Sequence, residues 1–366
     1  MKKALLILTA VLALACIAAT PFLCSHSDIL PEVSTAYYDY KAKEDALTAT
    51  GPEAELMRML TGLSADTKLE PVSTPIQFNW FGMVLVIAAA AVIGLLLWLN
   101  RKQTGLRDAL LWTSALAVPF GLVGARLVYC LVNISFYLNA IAAPEAMLKI
   151  WEGGLSFSGA LAFVTLAGVI GAKLGKASVG CVLDAMAGPM IWLAAGATIA
   201  VQTISMGFGP EISGSFMAVA VNGAQRLNTA ELVTLAMFAL LVAAELISGK
   251  NAPVGLRFAV YAFLYGSVMI LLESLREDGH MVWGFVHAEM VFDLVFALTA
   301  LLYLAKTKTR ILLSLLATAI LAGAVVALEF ALDRSNLGDG LLYGAYIAVL
   351  GGYILFGCSC AKKRTA

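Results

Sequence analysis

The stretch WEGGLSFSGAL, residues 151–161, sets an acidic residue, a glycine pair and a small polar residue, Ser158, at the mouth of an otherwise apolar run. The run continues to about residue 172, long enough to cross a bilayer as a helix. The chain therefore enters the membrane here through a polar segment with two glycines. Working outward, the same test finds nine further spans, at about 4–23, 80–99, 108–132, 182–204, 229–248, 256–275, 285–305, 311–331 and 340–357. The 366 residues are 61% hydrophobic and 13% charged, with a mean hydropathy of +0.88. The expected fold is all-α, a polytopic helical membrane bundle of about ten transmembrane helices.

Charge orders these spans. With the opening MKK in the cytoplasm, basic residues gather in alternate loops: Arg101, Lys102 and Arg107, then Lys173 and Lys176, then Lys250 and Arg257, then Lys306, Lys308 and Arg310. Lys362, Lys363 and Arg364 close the series, so both termini are predicted to be cytoplasmic. A formal net charge of zero argues against a nucleic-acid partner. Six cysteines without a CxxC spacing point to neither a zinc site nor a disulfide framework, and no metal or cofactor is expected. Cys358 and Cys360 read as ordinary helix-end cysteines, with palmitoylation or redox use as the alternative.

Between the spans the sequence punctuates itself. Residues 1–24 are expected to be an uncleaved anchor, although LALAC at 12–16 looks like a cleavage box, so a removed signal is the alternative. Residues 25–78 form an extracytoplasmic segment with short helices predicted near 34–48 and 52–62. In the outer loop 205–228, SFMAVAV predicts a short strand flanked by glycines. NTAE at 228–231 predicts a capped helix start, with Asn228 as N-cap and Glu231 three residues on.

Ionisable residues inside membrane spans are costly and mark function. Arg126 stands about 18 residues into its span, roughly 27 Å along it at 1.5 Å per residue. Glu273 and Arg276 reach a similar depth and share a helix face at i,i+3 spacing. Glu152 opens the span that descends from that side. These four charges converge on one layer, the outer leaflet, where two arginines suit a lipid phosphate. Gly153, Gly154 and Gly159 permit close approach of helix or lipid. Helix packing and interfacial snorkelling are the alternative roles for each residue taken singly. Asp184, at the inner end of its span, lies outside this layer.

Taken in order, these motifs resemble the bacterial prolipoprotein diacylglyceryl transferase family over about residues 75–305. FNWFG (78–82), GARLVY (124–129), WEGGLSFSGAL, DAMAGPMIWLAAGATIAV (184–201) and YGSVMILLESLRED (265–278) are each similar to a family motif, in register with the spans. The resemblance implies a bacterial cytoplasmic-membrane protein with a seven-helix core at 79–306. Residues 307–366 then add two further transmembrane helices and a basic cytoplasmic tail. It also implies a reaction, transfer of the diacylglyceryl group of phosphatidylglycerol to a prolipoprotein cysteine. That chemistry needs a proton acceptor for the thiol and cations for the leaving phosphate.

The resemblance carries Arg126, Glu152, Gly153, Gly154, Gly209, Glu273 and Arg276. It fails at Ser158, which stands where the family has histidine. It fails also at Thr198 and Met269 for arginines, Val201 for asparagine and Phe81 for tyrosine. A serine is no general base near neutral pH without an activator. His280 and His287 are the substitutes available, with metal binding alongside Glu277, Asp278 or Glu289 as a further option. Three functions stay open: a divergent transferase, a non-catalytic relative that binds phospholipid or a lipoprotein signal helix, and a small-solute transporter.

Overall fold

The computed structural model describes residues 80–138, 147–148, 154–204, 206–212, 214, 217–221, 223–249, 252–335 and 337–365, together with Lys43 and Leu47. The expected first span, the two short helices before residue 63 apart from Lys43 and Leu47, and Phe78, Asn79, Glu152 and Gly153 lie outside these residues. The described chain runs α1 (Trp80–Asn100), α2 (Thr104–Val132), the short α3 (Ile134–Leu138), α4 (Phe157–Leu174) and α5 (Val179–Gln202). A hairpin of β1 (Ala218–Val221) and β2 (Ala224–Leu227) leads to α6 (Thr229–Ser248) and α7 (Leu256–Ser274). A second hairpin, β3 (Val282–Trp283) and β4 (Val286–His287), leads to α8 (Ala288–Leu304), α9 (Lys308–Arg334) and α10 (Asp339–Thr365).

All nine spans expected from residue 80 onward are helices. Eight are long and apolar enough to cross a membrane, and the chain is a helical membrane protein. The exception is α8. A span was expected from residue 285, but Val286 and His287 pair into the second hairpin, leaving a helix of 17 residues. At the other end the basic tail is helical, because α10 runs on through Lys362, Lys363 and Arg364 to Thr365. The strand expected in SFMAVAV is β1, and Asn228 accepts from the Glu231 amide as the predicted cap. The partner strand AQRL, whose only apolar residues are its two ends, was not anticipated.

The closest seam joins α2 to α4. A side chain at Gly124 would meet Phe163 and the Gly159 carbonyl, and one at Gly159 would meet the Gly124 carbonyl. Lower down, Gly171 backs onto Thr113 and Gly175 onto Ala109. Small residues let membrane helices approach closely, where dispersion and weak polar contacts replace the hydrophobic drive. The most buried span is α7, enclosed by α5, α6, α8 and α10. On α10, Gly357 makes room for Phe263 of α7, and Tyr353 pairs with Thr318 of α9 at 2.8 Å.

Asp184 explains how α7 begins. Its Oδ2 accepts from the Gly255 amide at 2.7 Å and its Oδ1 from the Phe258 amide at 2.8 Å. A carboxylate on α5 thus satisfies helix-end donors that have no partner within α7. Replacing Asp184 with Ala is expected to cost about 1–2 kcal/mol, as for the loss of a good helix cap. Asp184→Asn, which keeps one acceptor oxygen, should cost less. Thermal unfolding in detergent measures both.

Candidate functional site

The ends of α2 and α7 and the starts of α4 and α8 meet on the face that carries both hairpins. The site is built from α4 outward. Ser156 caps that helix, its Oγ accepting from the Gly159 amide at 3.0 Å, while its own amide donates to Ala125 of α2. The next two amides turn to a carboxylate of α8. Phe157 N donates to Glu289 Oε1 at 3.0 Å, and Ser158 N donates to Oε2 at 3.1 Å. Ser158 is buried and contributes its amide, at a helix N-terminus already occupied by an anion.

Arg126, buried near the end of α2, donates from Nε to the Met147 carbonyl at 2.9 Å and from Nη1 to the Gly154 carbonyl at 3.1 Å. Its guanidinium also lies 5.9 Å from the Tyr129 ring and 5.8 Å from the Tyr137 ring. Gly154 has φ +71°, and a Cβ there would strike Tyr129, so the approach to α4 needs glycine on both counts. Arg126 therefore ties the segment before α4 to α2.

Arg276, just past the end of α7, is held by two carboxylates. Its Nη1 donates to Glu273 at 2.9 Å and its Nη2 to Asp278 at 2.7 Å. The predicted i,i+3 pair with Glu273 is present. Burial disfavours the Asp278 carboxylate, but the charge and hydrogen bond of Arg276 together with the His280 amide hold the carboxyl below its ordinary range. Asp278 then accepts from the His280 amide at 3.2 Å.

His280 joins the two halves. Its Nε2 lies 3.1 Å from the Leu155 carbonyl, and its ring stacks on Tyr129 with centroids 5.6 Å apart. A carbonyl only accepts, so Nε2 carries the proton and Nδ1 is the basic nitrogen of the neutral ring. Burial, and then the nearby Arg276 charge, push this histidine below its ordinary pKa. His287, at the start of α8, is lowered by the same two causes. Both rings are thus neutral at pH 7.

The structure brings together Arg126, Gly154, Ser158, Glu273, Arg276, His280 and His287. Gly209 joins them from the loop before the first hairpin, where its amide donates to the Leu227 carbonyl and its close approach to the Leu275 carbonyl leaves no room for a side chain. Arg126 and Arg276 are linked through Tyr129, His280 and the backbone at 154–155. Among the described residues no group of three or more His, Cys, Asp or Glu side chains is placed to hold a metal ion. Asp278, one of the ligands considered for a metal, is engaged by Arg276 instead. Of the departures from the family motifs, Thr198 turns its hydroxyl back onto the Ala194 carbonyl and Met269 is buried in the core.

Two acids went unread as site residues. Glu289 had been considered only as a metal partner, and Asp293, one helical turn deeper on α8, not at all. Asp293 is buried within electrostatic reach of Glu273 and Glu289, and its Oδ1 and the Tyr265 hydroxyl have no hydrogen-bond partner among the described residues. Their sequence signal was present, two acids at i,i+4 in an apolar run.

With this layer in view, comparison with known proteins is direct. A family model described as prolipoprotein diacylglyceryl transferase matches residues 71–306. The chain belongs to this family. Among curated relatives, the phosphatidylglycerol–prolipoprotein diacylglyceryl transferase of Bacillus velezensis is 24% identical over 257 residues, 65% of this chain and 92% of the relative. That of Thermoanaerobacter sp. is 29% identical over 213 residues, 57% of this chain and 77% of the relative. The transferase 2 of Streptomyces coelicolor is 35% identical over 115 residues, 31% of this chain and 35% of the relative. The chain thus spans about a third of the Streptomyces relative, and 44% of the Listeria innocua one. In this chain a carboxylate, Glu289, tethers the start of α4.

That tether is testable. Glu289→Ala leaves the Phe157 and Ser158 amides without their acceptor and should cost about 1–3 kcal/mol, the usual penalty for buried donors left unmade. Ser158→Ala keeps the amide and should cost clearly less. Unfolding in detergent by the two variants, side by side, gives the comparison.

Proposed function

We propose that this chain transfers the diacylglyceryl group of phosphatidylglycerol to the cysteine thiol of a prolipoprotein, with His280 as proton acceptor in place of the family's histidine. The observation that carries this is the contact of His280 with Leu155, which brings a neutral imidazole to the segment where Ser158 supplies no base. The thiol proton passes to Nδ1, and the thiolate sulfur attacks the glyceryl carbon. A C–S bond forms as the C–O bond to phosphate breaks, and glycerol phosphate leaves as an anion. Arg276 and Arg126 supply the positive field for that anion.

A second function is favoured by one specific feature. Arg276 is already engaged by Glu273 and Asp278, and Arg126 by two carbonyls, so neither cation meets a phosphate without giving up a partner. That arrangement suits a relative that binds phospholipid, or a lipoprotein's signal helix, without chemistry. Localisation in the bacterial cytoplasmic membrane with both termini cytoplasmic fits either function.

The experiment expresses the chain in cells depleted of their own transferase and follows diacylglyceryl addition to a reporter prolipoprotein. Modification by the wild type, lost in His280→Ala and retained in Ser158→Ala, is the expected result. A membrane-inserted wild type that modifies nothing transfers the conclusion to the binding function. The pH profile gives a second check. Because His280 is lowered, activity should persist as pH falls past the ordinary histidine value of about 6.5 and fail only below it. In Arg276→Ala the repelling charge is gone, so the acid limb should move up in pH among the activity that remains.

A further inference from the structure

Beyond the charged layer, the bundle holds a cavity of about 660 Å³ between α4, α5, α7 and α8. Its walls are almost wholly apolar, and it begins at the opposite, basic face. Val179 and Gly180 of α5, Val254 and Gly255 before α7, and Tyr303 of α8 form that end; Leu161 and Tyr265 close the other. From Gly255 to Tyr265 is ten residues of α7, or roughly 15 Å. That is about half the hydrocarbon thickness, one leaflet. The groove opens sideways to lipid, with Val254 55% exposed, Val295 53% and Tyr303 41%.

Its occupant is indicated by the charge at its mouth. The Arg364 guanidinium, in the last turn of α10, lies 4.0 Å from the Tyr303 ring centroid. Tyr303 is itself fixed by a hydrogen bond to the Val254 carbonyl at 3.1 Å. Lys306 follows three residues after Tyr303, and Lys363 precedes Arg364, both exposed. Two other charged groups at this face are already committed. Arg257 pairs with Glu245 at 3.3 Å, and Asp184 is taken by the α7 amides. An apolar slot one leaflet deep, capped by cations, matches an anionic phospholipid: acyl chain inside, phosphate at Arg364.

We propose that this groove binds one acyl chain of an anionic phospholipid from the leaflet at the basic face, with α10 supplying the headgroup contact. Its headgroup contact is separate from the charged layer: Tyr265 at the closed end borders that layer, but Arg126, Arg276 and His280 are not part of the lining. A chain hanging from a headgroup at Arg276 would need a groove running up to Ser158 and Glu289, and the lining stops at Leu161 and Tyr265. The cation also comes from a helix beyond residues 71–306, outside the matched family region.

The test uses the full chain in phosphatidylcholine nanodiscs doped with phosphatidylglycerol carrying a mid-chain diazirine, with the crosslinked peptides mapped by mass spectrometry. Labels are expected on residues 254–265 and 295–303. Relative to a diazirine phosphatidylcholine, the preference should be roughly fivefold per basic side chain engaged. Thr299→Trp, which fills the slot, should abolish that labelling, and the milder Ala262→Leu should reduce it if the first variant does not fold. Arg364→Glu with Lys306→Glu should remove the headgroup preference, while Arg276→Ala leaves it unchanged. Equal labelling by both lipids, or labelling that depends on Arg276, overturns the proposal. Diacylglyceryl transfer is measured separately, so its failure is distinguishable from failure of this site.

Discussion

One carboxylate organises the charged end of this molecule. Glu289 reaches from α8 to the first two amides of α4, residues distant in sequence, and accepts from both. In a bilayer an unmet amide has no water to turn to, so the choice of acceptor fixes the helix position. The N-terminus of α4 is positive and Glu289 is negative, and burial strengthens the attraction. Two further contacts hold the approach to α4. Arg126 pins the segment before α4, and His280 lands on its Leu155 carbonyl.

The seam between α2 and α4 makes that contact reproducible. Glycines on both helices bring the backbones together, so α4 has little freedom to slide along α2. On the other side α7 is held by Asp184 at its start and, at its end, by the Tyr343 hydroxyl of α10 donating to the Ser274 carbonyl. The two helices beyond the family region are thus joined to the helix that delivers Glu273 and Arg276. They also reach the opposite face, where Arg364 lies over Tyr303. The two ends of the bundle differ in kind: one is a network of charges paired around Arg276, the other an apolar slot beside exposed basic side chains.

Much of the fold was legible because membrane spans obey a simple rule of length and apolarity. The Glu273–Arg276 pair followed from i,i+3 spacing, and the Asn228 cap from an Asn three residues ahead of a Glu. Less was legible where the chain folds against that rule. The start of α8 was taken as membrane span, yet Val286 and His287 satisfy their backbone in a hairpin. Strand β2 escaped notice because AQRL has too little apolar alternation to mark a strand. Asp293 escaped although the same cost argument that singled out Arg126 applies to it.

The sequence by itself determined a helical membrane bundle and the family, because hydropathy and motif order are properties of the chain. It also determined that Ser158 brings no base. Only the tertiary structure decided partners. Glu289 and Ser158 lie on different helices far apart in sequence, as do Asp184 and Gly255, Tyr129 and His280, and Arg364 and Tyr303. Such pairs depend on helix rotation and close approach, which the packing of small residues sets and which no spacing along a single helix encodes.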